Sequence, residues 1–264
     1  MMTPIPAVVP PLQREQTWKR NIAPATALDW LAAGWRDFTV YPAASISYGI
    51  LVFMVSVITI VGLFALHFDY ILLPAFAGFM VVGPVIGIGL YEKSRRIAEG
   101  RPVTLWQMVY VRPESGGQIL FAGVLLFLLT LLWMRAAVIV YALFFGLRPF
   151  PGLDHIIPML FTTATGWAML VVGSAVGGLF AAFAFAISAF SIPMLLSKRT
   201  DALTAMATSM ALVWNNLPVM LTWAAIMLAL IMAGIATGLL GMIVIFPVLG
   251  HGSWHAYRTM RPQV

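Results

Sequence analysis

LLGMIVIFPVLGHGSWHAYR, residues Leu239 to Arg258, decides how this chain is read. Its first half is unbroken apolar sequence. Its second half carries two of the four histidines, His251 and His255, with Trp254, Tyr257 and Arg258, and Pro247 stands between the halves. An apolar run closed by aromatic and basic residues reads as a membrane helix ending at a water interface. A shorter echo lies upstream: PVIGIGLYEKSR from Pro84 and PVLGHGSWHAYR from Pro247 share the Pro, the Val, both Gly and the Arg. That match fits a true internal repeat, and it also fits chance in glycine-rich membrane helices.

The same apolar character fills most of the chain. Of 264 residues, 61% are hydrophobic and 9% charged, with a mean hydropathy of +0.96. A water-soluble domain has roughly a quarter of its residues charged, so lipid is the main solvent here. The net charge of +6 falls in short clusters between apolar runs. The positive-inside rule produces that placement, and nucleic acid is not expected as a partner. With no cysteine, disulfides, thiolate metal sites, iron–sulfur clusters and cysteine nucleophiles are excluded. Residues 1–25 are proline-rich and polar without an apolar signal core, and are expected to form a disordered cytoplasmic tail.

Six spans are predicted at about 43–66, 70–91, 117–145, 167–195, 218–235 and 238–258. They make one all-α polytopic transmembrane domain over 26–258, with 259–264 a second short cytoplasmic tail. The spans pair as three hairpins, each preceded by a short cytoplasmic interfacial helix. The first, Thr26 to Tyr41, has an apolar stripe of Leu28, Leu31, Ala32, Trp35 and Phe38. Thr26 and Asp29, three apart, read as its capping box. The second covers Val103 to Val111. The third is capped by Asp201 and carries Leu203, Met206, Ala207, Met210, Val213, Trp214 and Leu217 at helical spacing. Residues 156–166 are either re-entrant or interfacial on the outer side. Six spans place both termini on one side together with thirteen of the fifteen Lys and Arg residues, which makes that side cytoplasmic.

Few residues carry chemistry. His251 and His255, four apart, share one helical face. Three readings are open for them: packing at the interface, ligation of a metal or haem, and proton handling. No carboxylate is close to them in sequence. Arg135 is the only charge inside a span, where a charge costs about 2.5–3.5 kcal/mol at the bilayer centre. It either snorkels at the outer interface beside Trp133 or partners an anionic substrate or an acid, Asp69 or Asp154, from the outer loops. The pairs Gly83/Gly87, Gly173/Gly177 and Gly234/Gly238 fit small-xxx-small helix packing. Trp35, Trp106, Trp214, Trp254 and Tyr257 are expected as interface anchors. The sixteen methionines read as flexible fillers in place of copper(I) ligands. No nucleophile–base set, phosphate-binding loop or pair of intramembrane carboxylates is present, so no catalytic residue and no cofactor is assigned. Lipid, other integral membrane proteins and further copies of the chain are the expected partners.

The closing PVLGHGSWHAYR, Pro247 to Arg258, and the early WRDF…YP…SYG stretch, Trp35 to Gly49, resemble the DUF2189 family of bacterial multi-pass membrane proteins of unknown function. The resemblance extends over about Ala27 to Arg258. Some members carry the label of putative cytochrome c oxidase subunit, so the resemblance implies a bacterial inner membrane and a respiratory setting. The chain lacks the several intramembrane histidines of a catalytic haem–copper subunit. The implied role is therefore a non-catalytic accessory or assembly protein. Two alternatives stand beside it: a small-molecule transporter or channel with discontinuous helices at Pro84 and Pro247, and a haem- or metal-binding protein using His251 and His255.

Overall fold

A computed structural model describes residues 18–68, 71–146 and 151–261, the side chains of 73, 74, 77, 153 and 154 excepted. Residues 1–17 of the expected N-terminal tail, Asp69, the side chain of Asp154 and residues 262–264 lie outside the described residues. Within them all regular structure is helical. The helices are α1 (Thr26–Thr39), α2 (Pro42–Ala65), α3 (Leu72–Ile86), α4 (Ile88–Ala98), α5 (Leu105–Val109) and α6 (Gly116–Phe145). There follow α7 (Leu153–Thr162), α8 (Ala164–Ser188), α9 (Ser191–Ser197), α10 (Ala202–Asn215), α11 (Leu217–Ala236) and α12 (Met242–Met260).

Among the described residues four stretches are long and apolar enough to cross a membrane: α2, α6, α8 continued through α9, and α11. The expected second and sixth spans differ from these for identifiable reasons. The second is broken at Gly87, three residues after Pro84, so that α3 alone has only 15 residues. The carbonyl of Ile86 at the break accepts a hydrogen bond from the Tyr48 hydroxyl at 2.5 Å, which is how membrane helices tolerate interruptions. The sixth, α12, is packed by α1, α2, α4 and α11. A helix screened by its neighbours can carry polar residues that a lipid-facing helix cannot. The expected fourth span is also interrupted, between Ser188 and Ser191. There Ser209 of α10 bridges the gap, accepting from the Phe190 N–H at 3.0 Å and donating to the Ala186 carbonyl at 2.7 Å.

The three short helices α1, α5 and α10 form within the stretches where interfacial helices were expected, and their packing follows one rule. Helix α5 packs on α4, α10 on α8 and α9, and α1 on α12. Each of the three thus leans on a helix at the same end of the molecule, and α1 brings the last helix, α12, into that set. The ends α4, α9 and α12 also touch one another pairwise. Close backbone approach makes the α12 contacts possible. A Cβ on Gly34 of α1 would stand 2.5 Å from the Val248 carbonyl oxygen, and one on Gly49 of α2 would overlap the Ile243 carbonyl oxygen.

Several expectations need correcting. The cap of α1 is Ala25 without a side-chain bond, so Thr26 and Asp29 form no capping box. Asp201 does cap α10, accepting from the Thr204 N–H at 2.8 Å. In α1 the face turned to the protein is Ala27, Trp30, Ala33, Gly34, Asp37 and Phe38, whereas Leu28 and Trp35 point outward. In α10, likewise, Leu203, Met210 and Trp214 point outward. An interfacial helix has an apolar solvent on its outer side, so its most apolar stripe need not face the protein. Residues 18–25, assigned to the tail, are held in place. The Arg20 N–H donates to Asn216 Oδ1 at 2.7 Å and Asn216 Nδ2 donates to the Trp18 carbonyl at 2.9 Å.

Candidate functional site

Chemistry gathers at the end of the molecule where α1, α2, α4 and α12 meet. His251 is fully buried there. Its Nδ1 lies 3.1 Å from the Leu90 carbonyl oxygen and 2.9 Å from Ser94 Oγ. Its Nε2 lies 3.0 Å from Ser45 Oγ. A carbonyl oxygen can only accept, so the proton sits on Nδ1 and the Ser45 hydroxyl donates to Nε2. Ser45 Oγ in turn accepts from Lys93 Nζ at 2.6 Å, and Nζ also donates to the Tyr41 carbonyl at 3.3 Å. Donors and acceptors therefore alternate without conflict from Lys93 through Ser45 to His251 and on to the α4 backbone.

Asp37 and His255 form the other half. His255 Nε2 donates to Asp37 Oδ2 at 2.8 Å, and the Ser94 hydroxyl acts on the Asp37 carboxylate from α4. Ser94 thus joins the two halves into one network of six side chains drawn from four helices. Burial acts to raise the Asp37 carboxyl, but the hydrogen bonds from His255 and Ser94, with the nearby imidazoles, outweigh it and hold Asp37 below the usual carboxylate range. Burial lowers the Lys93 ammonium to about 8, and the Asp37 carboxylate pulls against that shift.

This geometry reassigns the histidine pair. Both ring nitrogens of His251 are engaged by protein groups, and His255 spends Nε2 on Asp37. Among the described residues no three His, Asp or Glu side chains cluster as a metal site. The carboxylate missing from the local sequence is Asp37, which arrives from 218 residues away. Trp254 and Tyr257 are not interface anchors: both are buried, and the Tyr257 hydroxyl pairs with Ser197 Oγ at 2.9 Å. Trp35, Trp106 and Trp214 are exposed, one on each interfacial helix.

The remaining sequence candidates are dispersed. Arg135 is exposed on α6, and among the described residues no ion pair or hydrogen bond brings it to another side chain. A Cβ on Gly83 or Gly238 would meet nothing within 4 Å, so neither is a packing position, and Gly238 has a positive φ in the α11–α12 turn. A Cβ on Gly87 would meet only the Gly83 carbonyl and Tyr91, and one on Gly173 would be 4.0 Å from the Val140 side chain. A Cβ on Gly177 would stand 3.5 Å from the Trp133 ring, and one on Gly234 would stand 2.5 Å from the Met242 sulfur. Sequence reasoning missed Asp37, Ser45, Lys93 and Ser94. Two signals were available: Lys93 and Ser94 belong to the upstream echo of the histidine stretch, and Asp37 and Ser45 lie in the Trp35 to Gly49 stretch that carries the resemblance.

Two clefts open at the same end. One of about 400 Å³ is lined by Glu92, Arg95, Arg96, Arg101, Trp106, Gln107, Tyr110 and Arg112. The other, about 280 Å³, lies where α4, α9 and α12 converge, between Arg95, Ser197, Trp254, Arg258 and Arg261.

Residues 72–197 match the family model described as Predicted integral membrane protein (DUF2189). No curated protein and no solved structure matches the chain. The matched region runs from α3 to α9 and includes Lys93 and Ser94, whereas Asp37, Ser45 and both network histidines lie outside it, as do the stretches 35–49 and 247–258 that carried the resemblance. Over residues 72–197, just under half of its length, the chain is similar to the DUF2189 family of predicted integral membrane proteins.

Proposed function

We infer that this is a six-span protein of a bacterial inner membrane, with both termini cytoplasmic, that serves as a non-catalytic accessory or assembly partner of other membrane proteins. The hairpin topology is supported by shared chemistry at the basic end. Arg20 bonds the Met260 carbonyl, and Arg95, Ser197 and Arg258 line one cleft. On this reading the chain returns to one end after each of three excursions of two crossings apiece, in keeping with those contacts.

The observation that carries the accessory reading is the division of the surface. The outward faces of α2, α6, α8 and α11 are lined by exposed apolar side chains such as Ile58, Leu132, Leu179 and Leu221. The buried charged groups Asp37, Glu92 and Lys93 all sit at the basic end. Such a molecule offers large apolar faces within the bilayer and a rigid polar platform beneath it. A respiratory oxidase is the first partner to examine. Purification from native membranes in mild detergent, at native expression level, tests this by mass spectrometry. Stoichiometric co-purification of membrane-complex subunits is expected; recovery of the protein alone contradicts the reading.

A second reading, transport, draws on the alternating chain from Lys93 to His251, placed where α3 breaks into α4 and where α12 carries Pro247. Substrate flux in reconstituted vesicles that His251→Ala abolishes would favour it.

A further inference from the structure

We propose that the 400 Å³ cleft between α4 and α5 is a binding site for the phosphate headgroup of an anionic phospholipid. Four arginines face one glutamate in its lining. Glu92 is buried and holds two of them in place: Arg95 at 2.7 Å and Arg96 at 2.7 Å. One carboxylate thereby orients two guanidiniums, each with five N–H donors, and leaves net positive charge and unused donors facing the cleft. Arg101 is paired with Glu99, and Arg112 is exposed without an ion pair among the described residues. Planar guanidiniums in a group recognise phosphate oxygens in forked pairs.

The walls are built rather than incidental. Helix α5 opens with a capping box in which the Gln107 N–H donates to Thr104 Oγ1 and the Thr104 N–H donates to Gln107 Oε1. It is pressed to α4 so closely that a Cβ on Gly89 would overlap the Met108 carbonyl oxygen. Met108 is buried against the protein, whereas Leu105, Trp106, Val109 and Tyr110 are exposed along the other side of α5. Trp106 and Tyr110 pack against each other with ring centroids 3.9 Å apart and planes tilted by 39°.

A basic cleft beside an exposed apolar and aromatic ridge fits an amphiphile. The phosphate would enter the arginines while the acyl chains follow the ridge, where tryptophan and tyrosine favour the headgroup level. Basic pockets beside membrane helices on the cytoplasmic side take anionic headgroups in this way. A free phosphate would use the arginines but not the ridge. The inference rests on the placement of this end at the cytoplasmic leaflet and is independent of the accessory role.

Native mass spectrometry of delipidated, detergent-purified protein tests it, with added phosphatidylglycerol, phosphatidylcholine, or glycerol phosphate. Phosphatidylglycerol is expected to be retained in preference to phosphatidylcholine. Its affinity should fall about fivefold for each of Arg101→Gln and Arg112→Gln, and about twenty-fivefold for both. Arg36→Gln, on α1, should leave it unchanged. Melting temperatures without lipid should match wild type, which separates lost binding from lost folding. Equal retention of phosphatidylcholine, or unchanged phosphatidylglycerol binding in the double variant, overturns the proposal. Displacement of the lipid by equimolar glycerol phosphate would assign the site to a soluble phosphate compound and overturn the lipid assignment.

Discussion

His255 Nε2 and Asp37 Oδ2 lie 2.8 Å apart across 218 residues of chain, joining the last helix to the first. The bond lies at the seam between α1 and α12, while Gly34 brings the two backbones together. Removing one partner of this part-buried hydrogen bond leaves the other unpaired, at a cost of about 1–3 kcal/mol. Asp37→Ala and His255→Ala are each expected to lower the melting temperature in detergent. A double-mutant cycle should show a coupling of about 1–3 kcal/mol; additive effects would show that the two residues act separately.

Acid should weaken the same bond. The folded Asp37 carboxyl lies below its ordinary value, so its contribution is present above the unfolded pKa near 3.9 and is lost as pH falls through the folded one. Melting temperature is therefore expected to drop below about pH 4, and Asp37→Asn should flatten that limb of the profile.

Lys93 has the opposite dependence. Its folded value of about 8 lies below the unfolded value near 10.4. Between those values the unfolded chain binds more protons, so stability should rise with pH across the window. Lys93→Met removes the titrating group, and its melting temperature should be flat over the same range. A wild-type profile that falls from pH 8 to 10 would contradict the burial of a charged Lys93.

Glycines separate by what surrounds them. Gly49→Ala is expected to destabilise by about 1–3 kcal/mol, because its methyl group would meet the Ile243 backbone. Gly83→Ala meets nothing within 4 Å and should be neutral or stabilising by up to about 1 kcal/mol, as alanine is the better helix former. Thermal melts of the two variants side by side decide this.

Arg135→Leu should leave expression and melting unchanged within about 0.5 kcal/mol, since the side chain is exposed on α6. Loss of any reconstituted flux in that variant, with the fold intact, would instead point to transport.

Much of this molecule was legible in its sequence, and the limits have physical causes. Apolar runs of span length located α2, α6, α8 and α11, and the three interfacial helices followed from their proximity to those runs. The boundary at Asp201 was visible because a cap is a local interaction. The site was not visible. Lys93 sits in EKSRR, which reads as a solvated charged run, and its burial depends on Ser45 and Tyr41 half a hundred residues upstream. Asp37 looked like the polar side of α1 because a stripe of Leu28, Leu31 and Trp35 defined the apolar side. In water the apolar stripe points inward; at a membrane surface both sides of a helix can be apolar. Periodicity then gives the helix but not its rotation, and only the α12 contacts fix it.

The topology from which the functional reading follows can be measured directly, because the chain contains no cysteine. Single cysteines at Leu66, His155 and Leu240 mark the far ends of the three excursions, and cysteines at Glu99 and Arg199 mark the returns; all five positions are exposed. In intact spheroplasts a membrane-impermeant maleimide should label the first three, and label Glu99→Cys and Arg199→Cys only after lysis. Labelling of either return position before lysis, or protection of Leu240→Cys while Leu66→Cys reacts, would contradict three hairpins with their basic ends in the cytoplasm.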